Sequence, residues 1–304
     1  MNTKIWSMKN VAIIAILTIL AIPVVVLAQD DDQEAKKIFN KALEAQQAGD
    51  DSLAVTLYQG TILADPAFTD AYINLGSIYF GFKDYGKAET NFKEATKVDA
   101  TNADAWANLG RVYYKQKKYD DAINCYNTVI ANKADYNEIY KDLGLVMFVK
   151  KNWPALIEDM GKFTQHVTDD YLPYYLMGKG YQKLKKFNES ITNYKKAIEL
   201  NPGYYNSHNS LGQIYQAQEK FNSGYKSFKK AGEIKPNKYL AFYNMAWSYQ
   251  MMNQDAEGNL TNVDEIISHW NKFMKSAKNN PKAKSYVENV QATIDELKEY
   301  KKEF

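Results

Sequence analysis

A glycine returns every 34 residues, at Gly76, Gly110, Gly144, Gly178 and Gly212, and the residue three places beyond it is Tyr79, Tyr113, Met147, Tyr181 and Tyr215. Self-similarity at this period marks an array of helix-turn-helix units, each able to bury its apolar side only by stacking on the next. The clearest unit covers residues 69–102. Its Tyr72, Leu75, Gly76 and Tyr79 stand at i, i+3, i+4 and i+7 and share one face of a first helix, and Ala88, Phe92 and Ala95 do the same for a second. A glycine inside a helix costs about 1 kcal/mol relative to alanine. Five at one register imply a packing reason, and the expectation is that two helix backbones come close where Gly76 and Ala88 are small.

The period divides residues 35–281 into seven repeats, 35–68, 69–102, 103–136, 137–170, 171–204, 205–238 and 239–281. An amphipathic helix carrying Tyr286, Val290, Ile294, Leu297 and Tyr300 follows over 282–304 and is expected to cap the array. The first repeat has Lys41 where leucine is expected, a polar departure suited to a terminal unit. Repeat four carries Leu156, Met160 and Phe163 where its neighbours have alanine, an aromatic and alanine or valine. Added bulk is poorly absorbed by a packed interior, which predicts that the two helices of repeat four sit further apart or cross differently. Repeat seven inserts a polar stretch, Asn253 to Asn262, before a second helix with Ile266, Trp270 and Phe273. There Pro281 and Trp270 favour registers three residues apart.

With these motifs the chain resembles the tetratricopeptide repeat family over about residues 34–281. The resemblance implies an all-α fold, a right-handed α-α superhelix of about seven helix-turn-helix repeats plus the capping helix, that works as a non-enzymatic protein-interaction scaffold. In that family a partner peptide lies in a concave groove lined by first-helix residues. The corresponding positions here are Ile73 and Phe80 in repeat two, Arg111, Tyr114 and Lys115 in repeat three, and Lys141, Leu145, Phe148 and Val149 in repeat four. Repeat five supplies Tyr175, Lys179, Gln182 and Lys183, repeat six Asn209, Gln213 and Gln216, and repeat seven Tyr243, Trp247 and Gln250.

Two readings of Leu145, Phe148 and Val149 stand side by side. Either repeat four turns its first helix and buries them, or they form an exposed apolar anchor. In the second case Arg111, Lys115, Lys179 and Lys183 select an acidic flank, and the partner is an acidic, amphipathic protein segment. The family's carboxylate clamp, one lysine with two asparagines at set positions, is not reproduced, so chaperone C-terminal tails are not the expected ligands. An alternative is an envelope glycan, stacked on Tyr114, Tyr175, Tyr243 and Trp247 and hydrogen-bonded by Gln182, Gln213 and Gln216.

Charge and chemistry narrow the classes further. The chain has 38 basic and 36 acidic residues, and the excess lies in Lys4 and Lys9, so the repeats are neutral and lack the basic footprint of a nucleic-acid binder. His166, His208 and His269 are scattered without metal-ligand spacing, and no phosphate loop or nucleophile elbow occurs. No enzyme activity, metal or cofactor is expected. The single cysteine, Cys125, falls in a helical pattern and reads as a small buried apolar residue.

The N-terminus places the protein. Lys4 and Lys9 precede an apolar run from Val11 to Ile22, then Pro23 and Val24 to Ala28, before Gln29 and three aspartates. This reads as a secretory signal over residues 1–28, followed by a short acidic linker over 29–34. The alternative is an uncleaved anchor, since Val11 to Ala28 reaches the lower limit of a membrane-spanning helix. Either way the expectation is an exported chain with its repeats in the periplasm or cell envelope of a bacterium, touching membrane only through that segment.

Overall fold

The computed structural model describes residues 33–133 and 135–303. The signal and most of the acidic linker lie outside the described residues. Among the described residues there are fifteen α-helices and no β-strand; a single antiparallel bridge pairs Gln254 with Leu260. The all-α helix-pair class expected from the period is the class observed. No described helix is long and apolar enough to cross a membrane.

The chain forms two compact units, one ending at Asp142 and the other beginning at Leu143. The first contains α1 (33–47), α2 (Asp51–Ala64), α3 (Thr69–Gly81), α4 (Tyr85–Val98), α5 (Ala103–Lys115), α6 (Tyr119–Asn132) and the start of α7 (Glu138–Lys150). The second contains the rest of α7, α8 (Trp153–Thr164), α9 (Tyr171–Lys183), α10 (Phe187–Leu200), α11 (Tyr205–Ala217), α12 (Phe221–Ile234), α13 (Tyr239–Met252), α14 (Val263–Ala277) and α15 (Lys284–Glu303). Within each unit consecutive helices pack on one another, so every odd-numbered helix from α3 to α13 is the first of a pair and the next is its second.

The tight turns within pairs have their own period. Lys83, Lys117, Lys151, Lys185 and Glu219 all have φ between 57° and 63°. A left-handed side-chain-bearing residue costs about 1–2 kcal/mol, and what it gains is closure of the helix before it. Lys118 N donates to Tyr113 O at 2.8 Å and Lys186 N to Tyr181 O at 2.9 Å, the pattern that satisfies the last carbonyls of a helix. In two of the five turns the very next residue also caps the following helix with its side chain, Asp84 Oδ1 accepting from Lys87 N at 3.1 Å and Asn152 Oδ1 from Ala155 N at 3.4 Å; Lys118, Lys186 and Lys220 hold that place without a side-chain cap. Three residues therefore end one helix and start another.

The periodic glycines make room for side chains rather than for a backbone, which corrects the expectation from sequence. A Cβ on Gly76, Gly178 or Gly212 would stand 2.9, 2.6 or 2.8 Å from the ring of Phe92, Tyr194 or Phe228, and one on Gly110 or Gly144 would overlap Tyr126 or Met160. Each of these five side chains is essentially fully buried. Backbone proximity does occur at the register of Ala88. Ser190, at the Ala88 position of repeat five, sends its Oγ to Gly178 O at 2.6 Å, and a Cβ on Gly224 would lie 3.5 Å from Gly212 O.

The extra bulk of repeat four is seated in two places. Met160 fills the space at Gly144 that rings fill in other repeats. Leu156 and Met160 also join Leu176 and Met177 in one cluster, and α9 gives way at Gly180, where a Cβ would come within 2.9 Å of Ile157 and 3.5 Å of Trp153 O. Other repeats hold Ile78, Val112, Val146 or Ile214 at the Gly180 register, all buried. Gly180 thus leaves room for Ile157, which shares its register with Ile123 and Ile191 and is not one of the three bulky positions.

In repeat seven, α14 buries Ile266, Trp270, Phe273 and Ala277, so Trp270 sets the register and Pro281 opens a separate short turn, Pro281–Ala283. Val290, Ile294 and Leu297 of α15 complete that core. Cys125 is buried, and desolvation pushes its thiol up to about 12, which keeps it an unreactive packing group.

Two substitutions test this packing. Gly178→Ala should cost about 1–2 kcal/mol in chemical denaturation, the overlap with Tyr194 exceeding the helix-propensity gain, whereas Gly161→Ala, with nothing within 4 Å, should gain up to about 1 kcal/mol. Asp159 on α8 is half-buried, and desolvation lifts its carboxyl to about 6, with Lys162 opposing and Glu158 assisting. The folded state holds this proton more tightly than the unfolded chain, so stability falls as pH rises from about 4 to about 6. Asn91 and Asn193 occupy the same register and donate to the carbonyls of Lys87 and Glu189 four residues back. Asp159→Asn should therefore stabilise by about 1–2 kcal/mol at pH 7 after allowance for solvent screening, and the gain should vanish by pH 4.

Candidate partner-binding surfaces on the first helices

The residues expected to meet a partner fall on both units. Arg111, Tyr114 and Lys115 on α5 and Lys141 on α7 belong to the first unit; Leu145, Phe148 and Val149 on α7, Tyr175, Lys179, Gln182 and Lys183 on α9, Gln213 on α11 and Trp247 on α13 belong to the second.

In the first unit the strongest cation is already committed. Arg111 Nε donates to Asp142 Oδ2 at 2.8 Å and Nη1 to Asn108 Oδ1 at 3.1 Å. Burial pushes the Asp142 carboxyl above the usual carboxylate range, with Arg111 pulling the other way. Arg111 is thus a structural ion pair between α5 and α7 and not the free selector of an acidic flank that its position suggested. Tyr114 is half-buried, packed at 6.0 Å on Tyr119, and Lys115 lies 5.9 Å over the Tyr114 ring with its ammonium exposed. Lys141 is half-buried beside Asp142.

The apolar stripe of repeat four is neither wholly buried nor an open patch. Leu145 and Phe148 are half-buried against the cluster of Leu156, Met160, Leu176 and Met177, while Val149 is 39% exposed. Phe148 meets Trp153 edge-on at 5.9 Å. Phe80 with Tyr85 and Tyr114 with Tyr119 form the same pair in the two preceding repeats, at 5.6 and 6.0 Å. This ring is accordingly a repeated internal contact, a weaker anchor than its sequence position implied.

In repeats five and six the aromatic is replaced by glutamine, and the amides are spent inside the fold. Tyr194 OH donates to Gln182 Oε1 at 2.9 Å, and Gln216 Nε2 donates to Ser248 Oγ at 3.1 Å. Tyr175 packs edge-on against Tyr204 at 5.1 Å, Trp247 against Phe221 at 5.5 Å, and Tyr243 against Trp270, Phe273 and Tyr286. These contacts remove much of the face a stacked sugar would need. Gln213 is exposed.

Lys179 is the exception. It occupies the register of Arg111, but the register of Asp142 holds Ser210, and no carboxylate among the described residues pairs with it. Lys179 is half-buried; desolvation holds its ammonium below the usual range, and exposed Lys183 one turn on pushes the same way. On α11, the Oδ1 of Asn209 is buried without a hydrogen-bond partner. Sequence reasoning could find Lys179 by its groove position but had no means to see that its counter-charge is missing, because the pairing register, 31 residues, is visible only once Arg111 and Asp142 are seen together.

The committed pair and the open one differ in a measurable way. Asp142→Ala should strand a half-buried guanidinium and cost about 2–3 kcal/mol, and the double variant Arg111→Met/Asp142→Ala should recover a good part of that loss in equilibrium unfolding.

Models of the tetratricopeptide repeat match residues 39–103, 79–143 and 205–238, and a TPR repeat model matches residues 178–219. No curated protein matches. Among solved structures, the C-terminal part of a TPR repeat-containing protein from Cytophaga hutchinsonii is 18% identical with a TM-score of 0.68, covering 81% of this chain and 98% of that one. A tetratricopeptide repeat protein from Parabacteroides merdae is 14% identical with a TM-score of 0.57, covering 85% and 99%. YrrB, described as a TPR protein with an unusual peptide-binding site, is 17% identical with a TM-score of 0.56, covering 61% and 96%. At these identities the structures share a fold and no more. The 34-residue period, the helix pairs and the matched repeat models together make this chain a member of the tetratricopeptide repeat family.

Proposed function

We propose that this protein is a non-enzymatic interaction scaffold of the bacterial cell envelope, and that the first-helix face of α9 and α11 holds an acidic segment of a partner protein. The family's fold supports a role in binding proteins or peptides, and YrrB is a neighbour with a peptide-binding site. The export part of the reading rests on the two lysines, apolar run and small residue of the first 28 positions.

The observation that carries the ligand's charge is Lys179. A half-buried ammonium with a second ammonium one turn away is held at an electrostatic cost, and an incoming carboxylate would take the place that Asp142 fills for Arg111. Neutral glycan would leave the Lys179 charge uncompensated.

Removing that charge should move stability and affinity in opposite directions. Lys179→Met keeps the apolar stem, so its melting temperature should equal or exceed that of the native chain, while its affinity for a labelled Glu-rich amphipathic peptide should drop about tenfold in fluorescence anisotropy. The native affinity should also weaken as salt rises. Equal binding by the Lys179→Met variant, or binding indifferent to salt, would overturn the assignment.

A further inference from the structure

The second unit contains a cleft of about 360 Å³ between the second helices α12 and α14, floored by α13. It does not share residues with the first-helix face discussed above. Its apolar interior comes from Phe242 and Met245 of α13 and from Tyr225 of α12. At Gly232 the wall has no side chain and the Phe242 ring lies against it, 3.1 Å from where a Cβ would stand, whereas Ile62, Thr96, Ile130, Thr164 and Ile198 hold that register in the preceding repeats. The connection from α13 to α14 also departs from the three-residue turn. It runs over ten residues and enters α14 through Asn262 at φ 56°, so α14 is attached differently from the other second helices.

The polar groups at the cleft point to the charge of what it takes. Lys229 and Lys272 are both exposed at its lining, and neither has an ion-pair partner among the described residues. The one acid there, Glu233, is paired with Lys230 at 3.2 Å. His269 is only 8% exposed, its Nε2 lies 3.4 Å from Tyr225 OH, and its Nδ1 has no hydrogen-bond partner. Burial, then Lys272, hold the imidazole below its ordinary pKa and hence neutral at pH 7, with Glu265 opposing. Tyr225 OH and Nε2 share a long contact in which either can donate, and in both tautomers Nδ1 is a polar atom with no protein partner.

We propose that this cleft binds a small organic carboxylic acid, its apolar body seated on Phe242 and Met245 and its carboxylate held by Lys229 and Lys272 beside His269. Two uncompensated ammonium groups over an apolar floor complement an amphipathic monoanion, and the volume suits a body of roughly ten to fifteen non-hydrogen atoms. A neutral apolar molecule would fill the floor and leave both lysines and the imidazole without a counter-group.

The probe is 4-phenylbutyrate, with 4-phenyl-1-butanol as its neutral counterpart, titrated into the full-length chain by calorimetry and by 15N NMR of the histidine side chains. Saturable binding of the acid below about 1 mM is expected, with the alcohol at least tenfold weaker. The His269 ring nitrogens should shift on titration with the acid. In Lys229→Glu/Lys272→Glu, whose changes are confined to exposed side chains, acid affinity should drop at least tenfold while alcohol affinity and melting temperature stay the same. Equal affinity for acid and alcohol, acid binding unaffected by the double variant, or no saturable binding of the acid at millimolar concentration would each overturn the proposal.

Discussion

The fold depends on one steric interlock used five times. A first helix omits a side chain at Gly76, Gly110, Gly144, Gly178 or Gly212, and the ring or thioether of Phe92, Tyr126, Met160, Tyr194 or Phe228 occupies the space. A buried aromatic contributes a large apolar area, and placing it against a bare stretch of helix lets the two helices pack without a clash. The glycine's cost in helix propensity is offset by that burial. The same interlock fixes which face of each first helix turns inward, and with it which residues remain at the surface for a partner.

Much of the fold could be read from periodicity, because stacked repeats force the same packing problem at the same spacing. The helices, their pairing and the terminal helix α15 all follow from it. The turns could not be read in this way. Five left-handed residues close the first helices, yet they are four lysines and a glutamate, residue types with no preference for that conformation. Their strain is offset by the helix-closing hydrogen bond that the following residue makes in all five turns. Repeat four shows a second limit. Its bulky residues are conspicuous in sequence, but their clustering with Leu176 and Met177 of the next repeat shows only in the structure.

Charges at the surface illustrate the same division. Arg111 and Lys179 hold the same position in their repeats and look alike as cations facing a groove. Asp142 neutralises the first, and Ser210 stands where a partner for the second would be. A position in a repeat defines where a side chain begins; whether its charge is available depends on what the neighbouring helix brings within about 3 Å.

By itself the sequence determined the class of the molecule, an array of helix pairs in the tetratricopeptide family, since a 34-residue recurrence of large and small residues has few packed solutions. Only the tertiary structure decided which groove residues were already occupied: Arg111 by Asp142, Phe148 by Trp153, Gln182 by Tyr194. It also decided that Lys179, Asn209 and His269 were left with groups to satisfy. Local periodicity encodes backbone geometry, whereas the desolvation and pairing of a charge are properties of contacts between helices and exist only once those helices are assembled.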